Sequence, residues 1–366
     1  MLRQLWIPTS TTKLLQSQER LLAHHRLTPL FKRNRVSLPS TRSTSLCGTD
    51  ETLTLNSVEY QKDPHNTTPA TTCLLAHGLG SGLALFHSNL HFLSQRFDRV
   101  VAVDWLGFGG SSRPSFGASP DTPDTTESAD FFLSSLKEFV TQTRLSASPF
   151  TFIGHSLGGL LAAEYTMRYP ADVKQLYLIS PAGLPAPPPD ATFVSHQKDA
   201  STALKLLDTA WQSNVTPGAI VRALGPQGPA RVKEVLIRRF RNRWNEHETE
   251  LLADYLYHIT AAVASGEYAM NGLLTPMLTA SGNIGLFARR PLVHRMQELT
   301  LPVHVAYGDN DWLHASPGCE EAVDVLHRSG VDITLEIINN AGHHVYMDNP
   351  AALHASIEKF CDGGSG

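Results

Sequence analysis

Short, β-rich apolar runs alternate with segments of helical periodicity over the first half of the chain. After an extended segment that begins at Leu53, the runs are 73–76, 100–103, 150–153 and 176–179. Apolar residues recur at helical spacing in the stretches 128–144 and 157–168. Continuous apolar strands separated by helices are typical of a parallel sheet that is covered on both faces. The pattern predicts an α/β protein with a mostly parallel, doubly wound sheet.

The alternation of strands and helices ends after Ser180, where five prolines within residues 181–189 predict a stiff, non-helical segment. About a hundred residues of mainly helical character follow. Strand-like runs then resume at 303–307 and 331–338, before a last helix from about Pro350. We therefore predict four parts, which are an N-terminal arm (1–49), a first core part (50–180), a helical lid (181–300) and a second core part (301–366).

Charge is distributed unevenly along the 366 residues, whose formal net charge is −4. Residues 1–49 hold eight Lys/Arg and one acidic residue, which gives this arm a net +7 and leaves −11 for the rest. An acidic body argues against nucleic acid as a partner. The basic, Ser/Thr-rich and acid-poor arm is typical of a mitochondrial transit peptide, although a disordered arm or a membrane-surface segment fits equally well.

The four cysteines lie far apart and show no C-x-x-C spacing. We therefore expect neither a disulfide framework nor a zinc site, and a reducing compartment is the default. No run approaches the 18 consecutive apolar residues of a transmembrane helix.

Gly154-His155-Ser156-Leu157-Gly158 fits the motif G-x-S-x-G. The motif follows a β-rich run and precedes a helix, which is where a strained turn would expose a nucleophilic serine. The two glycines suit a turn that brings backbone segments too close for side chains. The Leu157 amide, at the start of the helix, would face an oxyanion.

Further loops after strand-like runs offer the other groups that acyl transfer needs. The glycine-rich loop after the first apolar run supplies the Leu79 amide as a second oxyanion donor, unless it is only a turn. Asp311 follows a later run, and His343 follows the last one, in the chain order serine, acid, histidine. Asp309 and His344 are the runners-up. This chemistry needs no metal or cofactor, and the chain shows no metal-ligand spacing.

These motifs together resemble the α/β-hydrolase fold. The chain resembles in particular the subgroup of the N-acyl-phosphatidylethanolamine lipase, the lipid-droplet coactivator of triglyceride lipase and the fungal mitochondrial cardiolipin deacylase. The resemblance covers nearly the whole chain, including Asp104-Trp105-Leu106-Gly107-Phe108-Gly109, Ser112-Arg113-Pro114 and the segment 342–348. It implies a serine hydrolase that deacylates a phospholipid or lysophospholipid.

Two alternatives come with the resemblance. The coactivator has asparagine at the nucleophile position, whereas this chain has Ser156, so a hydrolase is favoured over a non-catalytic regulator of a lipase. His343 and Asp348 form an H-x-x-x-x-D pattern that resembles the box of lysophosphatidic acid acyltransferases. The favoured role for Asp348 is to help cap the last helix, with Asn349 at the N-cap and Pro350 at the first helical position.

A basic run in the lid suits a phosphate headgroup or an anionic lipid surface, and Arg238, Arg239 and Arg241 are its candidate binding residues. A solvated helix face is the plainer alternative. Leu14, Leu15, Leu21 and Leu22 are candidates for an amphipathic patch on a membrane. We expect an intracellular, peripheral membrane protein, with the mitochondrion favoured over the lipid droplet and the cytosol.

Overall fold

A computed structural model describes residues 9–38, 52–116, 125–193, 201–240, 243–279, 284–315 and 318–363. Its ten strands are β1 (Lys32–Leu38), β2 (Leu53–Gln61), β3 (Thr72–Ala76), β4 (Arg99–Val103), β5 (Phe150–His155), β6 (Val173–Ile179), β7 (Leu274–Leu278), β8 (Ile284–Ala288), β9 (Val303–Gly308) and β10 (Ile333–Ile338). Twelve α-helices accompany them in the described part of the chain. They are α1 (Thr11–His24), α2 (His87–Arg96), α3 (Thr125–Gln142), α4 (Leu157–Arg168), α5 (Thr202–Gln212), α6 (Pro217–Ala223), α7 (Gly228–Phe240), α8 (Glu246–Ala261), α9 (Met270–Leu273), α10 (Cys319–Arg328), α11 (Val345–Asp348) and α12 (Pro350–Gly363).

Eight of the strands form one sheet, in the order β1-β2-β4-β3-β5-β6-β9-β10. The pairs β1–β2 and β2–β4 are antiparallel, and every pair from β4 to β10 is parallel. Strands β3, β4 and β5 are buried at every position, because helices cover both faces of the sheet. The predicted mostly parallel, doubly wound sheet is confirmed.

Much of the segment predicted as an N-terminal arm is integrated into the fold. Helix α1 begins at the N-cap Ser10, whose hydroxyl accepts from the Lys13 amide, and it packs on α8. Strand β1 pairs along its full length with β2. Leu14, Leu21 and Leu22 are buried rather than available to a membrane, because α8 and the sheet cover that face of α1.

The insertion between residues 181 and 300 is not purely helical. Helices α5 to α8 are followed by the antiparallel hairpin β7–β8, whose Leu274 and Ala288 are buried in the main core. The predicted helical lid therefore needs correction over its last third. A capping box of Asn245 and Glu248 fixes the start of α8.

The parallel strands place their carboxyl ends along one edge of the sheet. His77, Ser156, Asp311 and His343 come from the segments that follow β3, β5, β9 and β10. Ligand sites of open α/β sheets lie at this edge, so the topology brings all four residues to one place. Among the described residues, no helix is both long and apolar enough to span a bilayer.

Candidate active site

The turn between β5 and α4 holds Ser156 in a strained conformation. Its φ of 55° and ψ of −118° lie outside the regions that L-residues ordinarily occupy. The turn is possible because both flanking glycines lack side chains. A Cβ on Gly154 would lie 2.5 Å from the Gly158 carbonyl oxygen, and one on Gly158 would lie 2.4 Å from that of His77. The strained turn leaves the Ser156 side chain partly accessible.

A chain of hydrogen bonds joins Ser156, His343 and Asp311. His343 Nε2 lies 3.0 Å from Ser156 Oγ, and His343 Nδ1 lies 3.0 Å from Asp311 Oδ1. Asp311 is 2% exposed and accepts a second hydrogen bond from the Leu313 amide at 2.9 Å. The structure thus brings together the three residues that the sequence nominated for nucleophile, base and acid.

Electrostatics at Asp311 favour the carboxylate form. Burial by itself raises the pKa of this carboxyl group, but the hydrogen bond and the charge of His343, with smaller help from neighbouring donors, lower the pKa below its ordinary value. An ionised Asp311 accepts a hydrogen bond from Nδ1–H of His343, so the unprotonated Nε2 is left to accept from the serine hydroxyl.

The two runners-up have other partners. Asp309 Oδ1 accepts from the Ala341 amide at 3.0 Å, so this carboxylate fastens the loop before His343 instead of touching its ring. His344 is partly buried, and burial first, then the charge of His343, lower its pKa to about 4. Neither residue hydrogen-bonds to Ser156 in the described structure.

Leu157 and Leu79, the residues expected to supply the oxyanion donors, directly follow Ser156 and its close neighbour Gly78. Leu157 is the first residue of α4, and the first amides of a helix have no intrahelical acceptor. Gly78 approaches the serine so closely that a Cβ there would lie 2.9 Å from Ser156 Cβ. His77 Nδ1 lies 2.8 Å from the Gly78 carbonyl oxygen and donates to it. Because C=O and N–H point in opposite directions in a trans peptide, this bond turns the Leu79 amide away from His77.

His155, the variable residue of G-x-S-x-G, has a structural role that the sequence did not reveal. It is 1% exposed, and its Nε2 donates to the backbone oxygen of His343 at 2.9 Å. Burial and the neighbouring His343 lower the pKa of His155 well below its usual range. The neutral ring therefore ties the nucleophile turn to the histidine loop. The motif G-x-S-x-G accepts any residue at this position, so the sequence did not indicate this role of His155.

The resemblance motif that begins at Asp104 also has a structural explanation. The fully buried Asp104 carboxylate accepts from the Leu83 amide at 2.7 Å, the Gly110 amide at 2.8 Å and Asn56 Nδ2 at 2.7 Å. Asn56 Nδ2 also lies 2.9 Å from Gln18 Oε1, so α1 joins the same network. The network therefore joins the segments that follow β3 and β4 to each other and to α1.

Asp348 does not cap the last helix and does not touch the His343 ring in the described structure. Its carboxylate is 1% exposed and accepts from Arg239 Nη2 at 2.5 and 2.6 Å, from Arg243 Nη1 at 2.8 Å and from the Gly342 amide at 2.9 Å. Asn349 is the N-cap, as the sequence predicted, because its Oδ1 accepts from the Ala352 amide at 3.2 Å. The capping role expected for Asp348 is therefore wrong.

The candidate headgroup arginines differ in position. Arg239 lies beside His343 and lines an open cavity of about 530 Å³, together with Arg243, Trp312 and His344. Arg238 points elsewhere and pairs with Glu234 Oε1 at 2.5 Å, which agrees with a solvated helix face. Arg241 lies outside the described residues. Arg243, part of the basic run but not one of the three candidates, takes the place beside Arg239.

We expect the buried histidines to make the fold sensitive to acid. Burial lowers the pKa of His87 to about 3 and of His304 and His344 to about 4, against an ordinary value of about 6.5. These rings stay neutral in the folded chain, whereas the unfolded chain takes up protons below about pH 6.5. Each ring therefore lowers the free energy of unfolding by about 1.4 kcal/mol for every unit that the pH falls between 6.5 and 4.

Thermal unfolding at pH 7, 6 and 5 checks this expectation. The Tm should fall at each step, and H87Q should flatten the dependence. H65Q, which changes a fully exposed imidazole, should leave the slope as in wild type. A Tm that is constant over this range would contradict the account.

Comparison with known proteins agrees with the geometry. A family model described as the alpha/beta hydrolase fold matches residues 72–350, so the chain belongs to the α/β-hydrolase family. A solved structure of a carboxylesterase from Bacillus subtilis has the same fold, with a TM-score of 0.59 at 17% identity over 97% of this chain and 99% of its own.

Two curated relatives have names from lipid metabolism. A "1-acylglycerol-3-phosphate O-acyltransferase" of Arabidopsis thaliana is 34% identical over 97% of this chain and 82% of its own length. A "(Lyso)-N-acylphosphatidylethanolamine lipase" of Bos taurus is 32% identical over 80% of this chain and 79% of its own. The expected subgroup is confirmed, and the fold together with these relatives supports an ester hydrolase in general terms.

Proposed function

We propose that the protein is a serine hydrolase that removes an acyl chain from a glycerophospholipid or its lyso or N-acyl form. The observation that carries the proposal is the hydrogen-bonded chain from Ser156 through His343 to the buried Asp311, on a strained turn at the end of β5. Lipid-acting relatives support the substrate class.

The geometry accounts for each step of acyl transfer. His343 Nε2 takes the proton from Ser156 Oγ as the oxygen attacks the ester carbonyl, and Asp311 stabilises the imidazolium. The amides of Leu79 and Leu157 donate to the oxyanion. His343 then protonates the leaving alcohol, which departs and leaves acyl-Ser156. A water that gives its proton to His343 releases the fatty acid and restores Ser156.

We propose that the anionic headgroup binds beside Arg239 and Arg243. Each arginine side chain is about two-fifths exposed, at 39% and 41%, while the Asp348 side chain between them is buried. One Asp348 charge neutralises only one of the two arginines, so a net positive charge remains at the mouth of the cavity that His343 lines. Guanidinium groups bind phosphate through paired, charge-assisted hydrogen bonds.

Arginine variants test the headgroup site. R243A should raise KM for a phosphate-monoester lysolipid about 10- to 100-fold, since one charge-assisted contact contributes about 1.5–3 kcal/mol. Hydrolysis of an uncharged short-chain ester serves as the internal reference and should change little. The matched control is R238A, because Arg238 pairs with Glu234 away from the cavity. An equal KM change in R238A would contradict this placement.

Acyl transfer is the second candidate, and the name of the Arabidopsis relative favours it. The contacts of Asp348 argue against a separate centre built on H-x-x-x-x-D, because this carboxylate is taken up by Arg239, Arg243 and the Gly342 amide. A lysophospholipid hydroxyl that replaces water at acyl-Ser156 would use the same residues as hydrolysis.

Product analysis with labelled acyl donor distinguishes the two centres. Hydrolysis and any transfer should both be lost in S156A. Transfer that persists in S156A and is lost in D348A would instead establish an independent acyltransferase centre.

We place the enzyme at a membrane surface, and mitochondrial delivery by the basic N-terminal residues stays a prediction.

A further inference from the structure

A group of side chains with metal-ligand chemistry lies where the end of α1 meets the start of α8. One nitrogen each of His24 and His25 and one carboxylate oxygen of Glu248 all lie within 4.8 Å of one another. His24 Nε2 is 3.7 Å from Glu248 Oε1, and the ring of His247 is centred 5.1 Å from that of His24. None of these residues belongs to the Ser156 site.

Two imidazole nitrogens in or beside this group lack the hydrogen-bond partners that buried polar atoms ordinarily have. His25 Nε2 is buried without a hydrogen-bond partner among the described residues. His87, which is 4% exposed, stacks on His25 with ring centroids 4.1 Å apart, and its own Nε2 also has no partner within the described part of the chain. An unsatisfied buried nitrogen is costly and points to a ligand.

Burial favours the neutral form of His25 and His87. Burial, followed by the charge of His24, lowers the pKa of His25, and burial lowers the pKa of His87 to about 3. A neutral imidazole offers a lone pair to a metal without first losing a proton. The partly exposed Glu248 adds a negative charge.

We propose that His24, His25 and Glu248 bind a divalent transition metal of the zinc class, with water completing the coordination. Two imidazoles and one carboxylate are a donor set that Zn²⁺ accepts, whereas Mg²⁺ and Ca²⁺ prefer oxygen ligands alone. Tetrahedral Zn²⁺ needs its donors about 3.4 Å apart. Rotation of the surface side chains of His24 and Glu248 closes the remaining gap.

The bound metal would fasten the N-terminal helix to the lid. His24 is the last residue of α1 and His25 its C-cap, whereas Glu248 lies in the first turn of α8. Glu248 is more than 220 positions from the adjacent His24 and His25 in the chain, so no short sequence motif indicates the site. The site is structural, since none of its residues contacts Ser156, His343 or Asp311 in the described structure.

Equilibrium dialysis of the full chain against Zn²⁺ tests the proposal. We expect one tightly bound Zn²⁺ per chain and a higher Tm in its presence. H24Q and E248Q should each weaken binding by at least the 10- to 100-fold typical of a lost outer-shell partner, and should abolish the Zn²⁺-dependent rise in Tm. E248Q is informative because glutamine can keep the capping box with Asn245.

H65Q is the matched control, because it removes an exposed imidazole outside the group. Its stoichiometry and affinity should equal those of wild type. The proposal is overturned if wild type binds no Zn²⁺ beyond weak, multiple association, or if H24Q and E248Q bind it as wild type does. Hydrolytic activity is not the readout, so failure here would leave the assignment of Ser156 untouched.

Discussion

S156A should lower kcat for ester hydrolysis by about 10⁴- to 10⁶-fold. In the described structure Ser156 is the nucleophile that lies within hydrogen-bond distance of the His343 base. The residual rate should come from the oxyanion donors and from substrate binding, which the substitution leaves in place. KM should change little. Steady-state kinetics on a chromogenic acyl ester and on phospholipid vesicles measures both values.

The fold of S156A should be intact. Alanine tolerates the φ of 55° no worse than serine does, and Gly78 leaves room beside its Cβ. The Tm of the variant should therefore stay within a few degrees of wild type. Hydrolysis within 10-fold of the wild-type rate, in a variant that is folded, would remove Ser156 from the mechanism.

D311N should lower kcat by about 10⁴-fold although the side chain keeps its size. An asparagine that donates its amide to His343 Nδ1 would force the proton onto Nε2, so the ring could no longer accept from Ser156. The carboxylate form favoured by the lowered pKa of Asp311 would also be lost. Kinetics between pH 6 and 9 checks whether raising the pH restores any of the rate.

D309N is the matched control, since Asp309 lies two residues away and contacts the Ala341 amide rather than the His343 ring. We expect a decrease of about 10-fold or less, from loosening of the histidine loop. Equal losses in the two variants would mean that the acid was misassigned. A larger loss in D309N would make Asp309 the partner of His343.

The sequence predicted the architecture where hydrophobic pattern and turn chemistry agree. The all-apolar runs became the buried strands β3, β4 and β5, because a sheet covered on both faces requires such runs. Ser156, Asp311 and His343 could be nominated because each follows a strand, and parallel strands end at a common edge. Their 3.0 Å separations could not be predicted, since they depend on how three loops pack.

The parts that sequence reasoning missed depend on tertiary contacts. The basic composition of the first 49 residues suggested an arm, but burial of Leu14, Leu21 and Leu22 under α8 incorporates α1 into the fold. Asp348 precedes a helix and was expected to cap it. Arg239 in α7 and Arg243 in the turn after it bind the Asp348 carboxylate instead. These contacts span more than 100 residues of the chain, so no local sequence pattern indicates them.

Labelling with a fluorophosphonate probe tests the central claim most directly, because this reagent reacts with serines that an adjacent base activates. Intact-mass and peptide analysis of the wild-type chain should show one adduct, located on Ser156. S156A should remain unlabelled, and D311N should label far more slowly than D309N. A wild-type chain that is folded but unlabelled, or an adduct that persists in S156A, would contradict the account.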